Sequence, residues 1–157
     1  MSRLEVNLDL IQKYNVPGPR YTSFPPATKF TEQFTWPELE AEIARNNRTP
    51  RDLSLYFHIP FCETLCWFCG CTTVITLQHN QGTAYVEYLR QEVSQMSARL
   101  HKDRQAVQLH FGGGSPTFLT PTEIRTLGEI IHEHFTLAEE VEASVEIDPR
   151  RLTQDHV

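Results

Sequence analysis

The chain has 157 residues, 39% hydrophobic and 22% charged, with a formal net charge of −6. That balance suits one globular domain or a piece of one. It excludes wholesale disorder and argues against a nucleic-acid binder held by phosphate contacts.

The amino terminus, "MSRLEVNLDLIQKYNVPGPR", has no continuous apolar core, so no signal peptide is expected. No run approaches the ~20 apolar residues of a membrane span. A cytoplasmic location is therefore expected, with no membrane and no nucleic acid among the partners. "NVPGPRYTSFPPATKF", Asn15 to Phe30, is too rich in proline for a helix and reads as an ordered arm. Thr35 is a candidate N-cap, with Pro37 in the first turn, Glu38 at the capping-box position, and Leu39 and Ile43 at helical spacing. The basic segment Arg45 to Arg51 reads as a solvated loop. Residues 1–52 are thus an amino-terminal arm and helix.

From residue 53 to 157 the pattern is strand, loop, helix, repeated. "LSLYFHI" sets Leu53, Leu55, Phe57 and Ile59 against Ser54, Tyr56 and His58. Tyr85, Leu89, Val93, Met96 and Leu100 mark an amphipathic helix. "AVQLHF" is a second strand, Val107, Leu109 and Phe111 opposing Gln108 and His110. A second helix starts at the capping box Thr120-Pro121-Thr122-Glu123. "VEASVEID" is a third strand, with Val141, Ala143, Val145 and Ile147 opposing Glu142, Ser144 and Glu146.

Alternating strands and helices predict parallel βαβ units. Each strand has one polar face, which suits a sheet curved into part of a barrel, although a sheet with one wet face would read the same way. Reactive loops of such barrels follow the carboxyl ends of the strands. A cysteine loop follows the first strand and a glycine run the second, so both are expected on one rim.

All four cysteines lie in "HIPFCETLCWFCGC": Cys62, Cys66, Cys69 and Cys71. In a reducing compartment such clustering points to metal or redox chemistry. A structural zinc site favours two separated cysteine pairs, and there is no second pair here, although Cys71, His58 or His79 could supply a fourth ligand. A compact three-cysteine loop instead suits a cubane with one iron left open. Cys71 is then expected to be a bystander, since three ligands suffice; as a fourth ligand it would close the site.

In "HFGGGSPTFL", Gly112, Gly113 and Gly114 permit close backbone approach to a small polar ligand, or simply form a tight turn. The lysine of a phosphate loop is absent. Ser115 adds a hydroxyl. Glu146, at the end of the third strand, could accept hydrogen bonds from a ribose or an amine, or be merely solvated. Tyr56 shares its face. Phe68 could stack on an adenine or plug a cluster.

The spacing C-x3-C-x2-C resembles that of the radical S-adenosylmethionine enzymes. With "PGPRYTSFPPA", "LYFHIPFCETLCWFCGC", "LHFGGGSPTFL" and "VEIDPR", the chain resembles the oxygen-independent coproporphyrinogen III oxidases almost end to end. The resemblance implies a 4Fe-4S cluster on Cys62, Cys66 and Cys69, with S-adenosylmethionine, two molecules in the family, as cofactor. Tyr56, Phe68 and Glu146 would contact the cofactors together with the run Gly112, Gly113, Gly114 and Ser115. Ser115 stands where the family usually has threonine, and keeps the hydroxyl.

It further implies a 5′-deoxyadenosyl radical that abstracts hydrogen from coproporphyrinogen III, converting two propionates to vinyl groups and giving protoporphyrinogen IX in haem biosynthesis. An electron donor such as flavodoxin or ferredoxin and a monomeric state are implied as well. Family members are far longer, so an amino-terminal portion, roughly three βα units of the barrel, is expected. A haem chaperone with related motifs is the alternative; it lacks the PGPRYTS stretch. A cysteine-cluster metal module without catalysis is a second alternative.

Overall fold

The computed structural model describes residues 7–15, 26, 29–67, 69–150 and 152–156. Two compact units divide the chain, residues 1–38 and 39–157. The Pro-rich arm predicted over residues 15–30 lies almost wholly outside the described residues.

In the first unit, α1 (Leu8–Tyr14) begins where the Asn7 side chain accepts the Leu10 N–H at 3.0 Å. That cap satisfies one of the donors a helix start leaves open. Ahead of α2 (Trp36–Asn47), the Thr35 N–H donates to Glu38 at 2.9 Å and the Thr35 hydroxyl donates to the same carboxylate. These bonds lower the Glu38 pKa, the Thr35 hydroxyl contributing most. They supply the Glu38 half of the predicted capping box; the hydroxyl turns to the carboxylate rather than to the Glu38 N–H.

The second unit is built on a three-stranded parallel sheet in the order β1–β4–β5, where β1 is Leu53–Ile59, β4 is Gln105–Gly113 and β5 is Thr136–Val145. Parallel neighbours need a crossover, and α3 (Asn80–Ser97) and α4 (Pro121–His134) provide the two. β1 has the predicted bounds, and its alternation is legible in burial: Leu53, Phe57 and Ile59 are buried, Ser54 and Tyr56 exposed.

The core lies on one side of the sheet. Phe57, Ile59 and Phe61 meet Val86, Leu89 and Val93 of α3 and Leu127, Ile130 and Ile131 of α4. Ile59 and Ile130 are 0% exposed, and burying each such side chain is worth roughly 1.5–3 kcal/mol. The α3 stripe differs from the periodic reading: Gly82 and Val86 are buried on it, and the helix stops before Leu100. The α4 capping box forms as predicted, with Thr120 accepting from the Glu123 N–H at 3.3 Å and Glu123 accepting from the Thr120 N–H at 2.8 Å.

β5 starts earlier than the pattern suggested and ends at Val145, which leaves Glu146 one residue beyond the strand. Val145 and Ile147 are 54% and 47% exposed. Among the described residues β5, the outer strand, pairs only with β4, so apolar residues at its end receive less cover than those of the middle strand.

The opposite face of the sheet carries the polar row. Tyr56, His110 and Ser144 stand in register across the three strands. His110 Nδ1 and Ser144 Oγ are 2.7 Å apart, and the Tyr56 ring stacks on His110 at 5.6 Å. Gln108 Nε2 donates to Glu142 at 3.0 Å.

A second, two-stranded sheet was not foreseen. β2 (Phe61–Cys62) pairs in parallel with β3 (Val74–Ile75). The Val74 N–H donates to Pro60 O at 2.7 Å and the Thr76 N–H to Cys62 O at 2.9 Å. This ladder ties together the two ends of the cysteine loop.

Candidate cofactor site

β1 and β4 end level, Ile59 beside Gly113, so the segments that follow them emerge at one rim. Backbone bonds lock the glycine run there: the Gly114 N–H donates to Ile59 O at 2.7 Å and the Ser115 N–H to Phe61 O at 2.8 Å. A Cβ on residue 114 would sit 2.7 Å from Phe61 O, so only glycine allows this approach. Gly113 has φ +109°, a conformation side chains resist, and donates its N–H to the Glu146 carboxylate at 3.3 Å. With these N–H groups engaged, the run's other polar atoms are carbonyl acceptors, which suit an ammonium group.

The turn and the cysteine loop enclose a cleft of about 330 Å³, lined among others by Cys62, Cys66, Gly114, Ser115 and Glu146. Five sequence-predicted residues thus meet in one place. Gly113 adjoins it through Glu146, whereas Gly112 is buried in β4 beside His58. Cys69 is half-buried; its N–H donates to Cys66 O at 3.1 Å. Tyr56 stands on the sheet face, its hydroxyl 3.0 Å from His58 Nδ1. Burial, then Glu146 and Cys71, push its pKa up, so it lies within electrostatic reach of the rim. Phe68 lies outside the described residues.

Burial first, and then the neighbouring Cys69, Cys66 and Cys71, push the Cys62 thiol up. The other three thiols are therefore within electrostatic reach of Cys62. The two imidazoles considered as further ligands are engaged elsewhere. His58 Nε2 is 2.9 Å from Thr72 O. His79 stacks on Phe118 at 4.5 Å, with Nδ1 3.3 Å from Phe118 O and Nε2 3.2 Å from Glu63.

Among the described residues, no group of three or more His, Cys, Asp or Glu is arranged to hold a metal ion. The donors nevertheless have the chemistry of an iron–sulfur site, with clustered thiols and two of them facing the cleft. Each cluster ligand binds a different iron, so such ligands stand farther apart than those of a single ion. In donor type and common location, the residues fit that group.

Sequence reading missed Glu63, Asp148 and Arg150 on the cleft wall. "VEIDPR" contained two of them as part of a motif, but nothing local showed that the chain after β5 turns back to the cysteines.

A parallel sheet with crossover helices on one side, a polar face on the other and loops converging at the carboxyl rim is part of a radical S-adenosylmethionine-type barrel. A solved structure of coproporphyrinogen III oxidase (HemN) from Escherichia coli, a radical SAM enzyme, matches with a TM-score of 0.83 and 38% identity, over 98% of this chain and 33% of that one. No family model matches. The oxygen-independent coproporphyrinogen III oxidase of Salmonella typhimurium is 43% identical over 153 residues, 98% of this chain and 33% of the relative. That of Mannheimia haemolytica is 42% identical over 149 residues, 95% of this chain and 100% of the relative. The chain belongs to the oxygen-independent coproporphyrinogen III oxidase family, and spans about a third of the length of the Salmonella and Escherichia relatives it matches.

No helix among the described residues is long and apolar enough to cross a membrane.

Proposed function

We propose that this chain carries the cluster-holding face and part of the cofactor pocket of an oxygen-independent coproporphyrinogen III oxidase. Residues 1–52 form its arm and first helices, and residues 53–157 the first part of its barrel. Cys62, Cys66 and Cys69 would hold a 4Fe-4S cluster, with Cys71 left outside it. Gly112, Gly113, Gly114 and Ser115 would offer backbone and hydroxyl partners to S-adenosylmethionine, Glu146 a carboxylate, and Tyr56 and Phe68 aromatic walls. Cluster and S-adenosylmethionine together supply the one-electron chemistry of the family's reaction, oxidative decarboxylation of two propionates of coproporphyrinogen III. An electron donor such as flavodoxin or ferredoxin would serve it.

The chain's own residues do the holding and orienting. Glu146 keeps Gly113 aligned through its N–H, and the bonds from Gly114 and Ser115 fix the turn against the start of the cysteine loop. The observation that supports this reading is the convergence of Cys62, Cys66, Gly114, Ser115 and Glu146 on one cleft.

The test is anaerobic reconstitution of the chain with iron and sulfide, followed by reduction and electron paramagnetic resonance with and without S-adenosylmethionine. A cubane signal altered by the cofactor, and retained in Cys71→Ser, is expected. A chain that builds no cluster, or a signal indifferent to the cofactor in both proteins, would overturn it.

A further inference from the structure

Gly112 is buried in β4, and its backbone does not require glycine, since only Gly113 has a positive φ among the described residues. The space beside it does. A Cβ on residue 112 would sit 2.9 Å from His110 Nε2 and 3.1 Å from the carboxyl carbon of Glu146. Two side chains, one from β4 and one from just beyond β5, thus meet where a third is missing.

His110 is set to face that carboxylate. It stands in register with Ser144 of β5, whose Oγ lies 2.7 Å from His110 Nδ1, and the Tyr56 ring stacks on the imidazole at 5.6 Å. These contacts fix the ring and occupy one of its nitrogens. With the Ser144 hydroxyl donating to Nδ1, the ring proton sits on Nε2, and Nε2 lies 3.6 Å from Glu146 Oε1. The other oxygen, Oε2, accepts the Gly113 N–H at 3.3 Å. Each carboxylate oxygen therefore has its own partner, one from the sheet and one from the turn. The Glu146 backbone is already held, its N–H donating to Phe111 O at 2.9 Å, so only the direction of the side chain is left to be set.

We propose that His110, its tautomer set by Ser144, is a positioning residue that holds the Glu146 carboxylate at the cofactor cleft, and that residue 112 is glycine to leave room for this contact. This rests on the reading of Glu146 as a contact to S-adenosylmethionine. His110 acts through Glu146, as an outer partner orients a ligand-binding group, and exchanges neither proton nor electron. The atoms beside Gly112 are the ends of side chains, so an added methyl group displaces them and leaves the backbone in place.

The test uses the whole 157-residue chain, reconstituted anaerobically, with radiolabelled S-adenosylmethionine in equilibrium dialysis. His110→Leu removes both ring nitrogens, His110→Gln keeps an N–H near the reach of Nε2, and Gly112→Ala fills the space. Affinity should fall roughly five-fold in His110→Leu, the scale of a partly exposed pair, and comparably in Gly112→Ala. His110→Gln should stay close to the parent. Iron content and the unfolding temperature of the unloaded chain should match the parent in all three. In a Glu146→Ala background, His110→Leu should add no further loss, because its effect runs through the carboxylate.

Unchanged affinity in His110→Leu overturns the proposal. So does an equal loss in the Glu146→Ala background. A loss in His110→Leu and His110→Gln alike, with a lower unfolding temperature, would mark a merely structural role and overturns it too. A parent chain that takes up its cluster but binds no S-adenosylmethionine overturns the reading of Glu146 and the proposal together. A parent that binds it, with the variants unaffected, overturns the proposal alone.

Discussion

The glycine turn and the cysteine loop lie across one cleft yet are held in different ways. Gly113, Gly114 and Ser115 are fixed through their own backbone, to Glu146, Ile59 and Phe61. The cysteine loop is tied at its neck by the β2–β3 ladder, while further out Leu65 is 69% exposed and Trp67 fully so. Folding alone builds the first wall. The second brings the thiols near one another and leaves closure to whatever they bind, because unliganded thiols offer only weak hydrogen bonds to hold a loop.

The sharpest test of that contrast is Cys62→Ser. Iron uptake on reconstitution should be lost, while the unfolding temperature of the unloaded chain stays within error of the parent. A large drop in that temperature would mean the thiol also supports the fold. Gly114→Ala should do the reverse. Its methyl group would meet backbone atoms at 2.7–2.9 Å, and forcing an extra carbon into such a site costs roughly 1–3 kcal/mol, readable by denaturant unfolding. An unchanged midpoint there would show the turn to be looser than its hydrogen bonds indicate.

A smaller effect is expected at Glu63, whose carboxylate reaches His79 at 3.2 Å from a side chain 14% exposed, opposite an imidazole 50% exposed. Glu63→Gln should lower stability by no more than about 1 kcal/mol. It should also slow iron uptake modestly, because Glu63, the residue beside Cys62, ties the cysteine loop to His79 at the start of α3. Cys71→Ser should have the least effect, leaving iron content unchanged. A fall of about one quarter in bound iron with loss of the cubane signal would instead assign Cys71 to the cluster.

Much of this could be read along the chain. β1 was bounded by alternation alone and α4 by its capping box, since both signals come from residues a few positions apart. The cysteine spacing and the glycine run marked the rim for the same reason. β5 was less legible: alternation in Val141–Asp148 marked a strand, but its start at Thr136 depends on pairing with Gln105, and it ends at Val145. The two-residue strands β2 and β3 were invisible, because so short a segment carries no period.

By itself, then, the sequence determined the order of strands and helices, the helix caps, the thiol cluster and the family to which they belong. Only the tertiary structure decided why residue 114 has to be glycine, since the obstruction is the backbone of Pro60 and Phe61 more than fifty residues earlier. It also decided that His58 and His79 are engaged by Thr72, Phe118 and Glu63, and that Arg150 returns to the cysteines. Periodicity and caps are settled among near neighbours. A close approach between distant segments exists only after the sheet has paired and the core has closed beneath it.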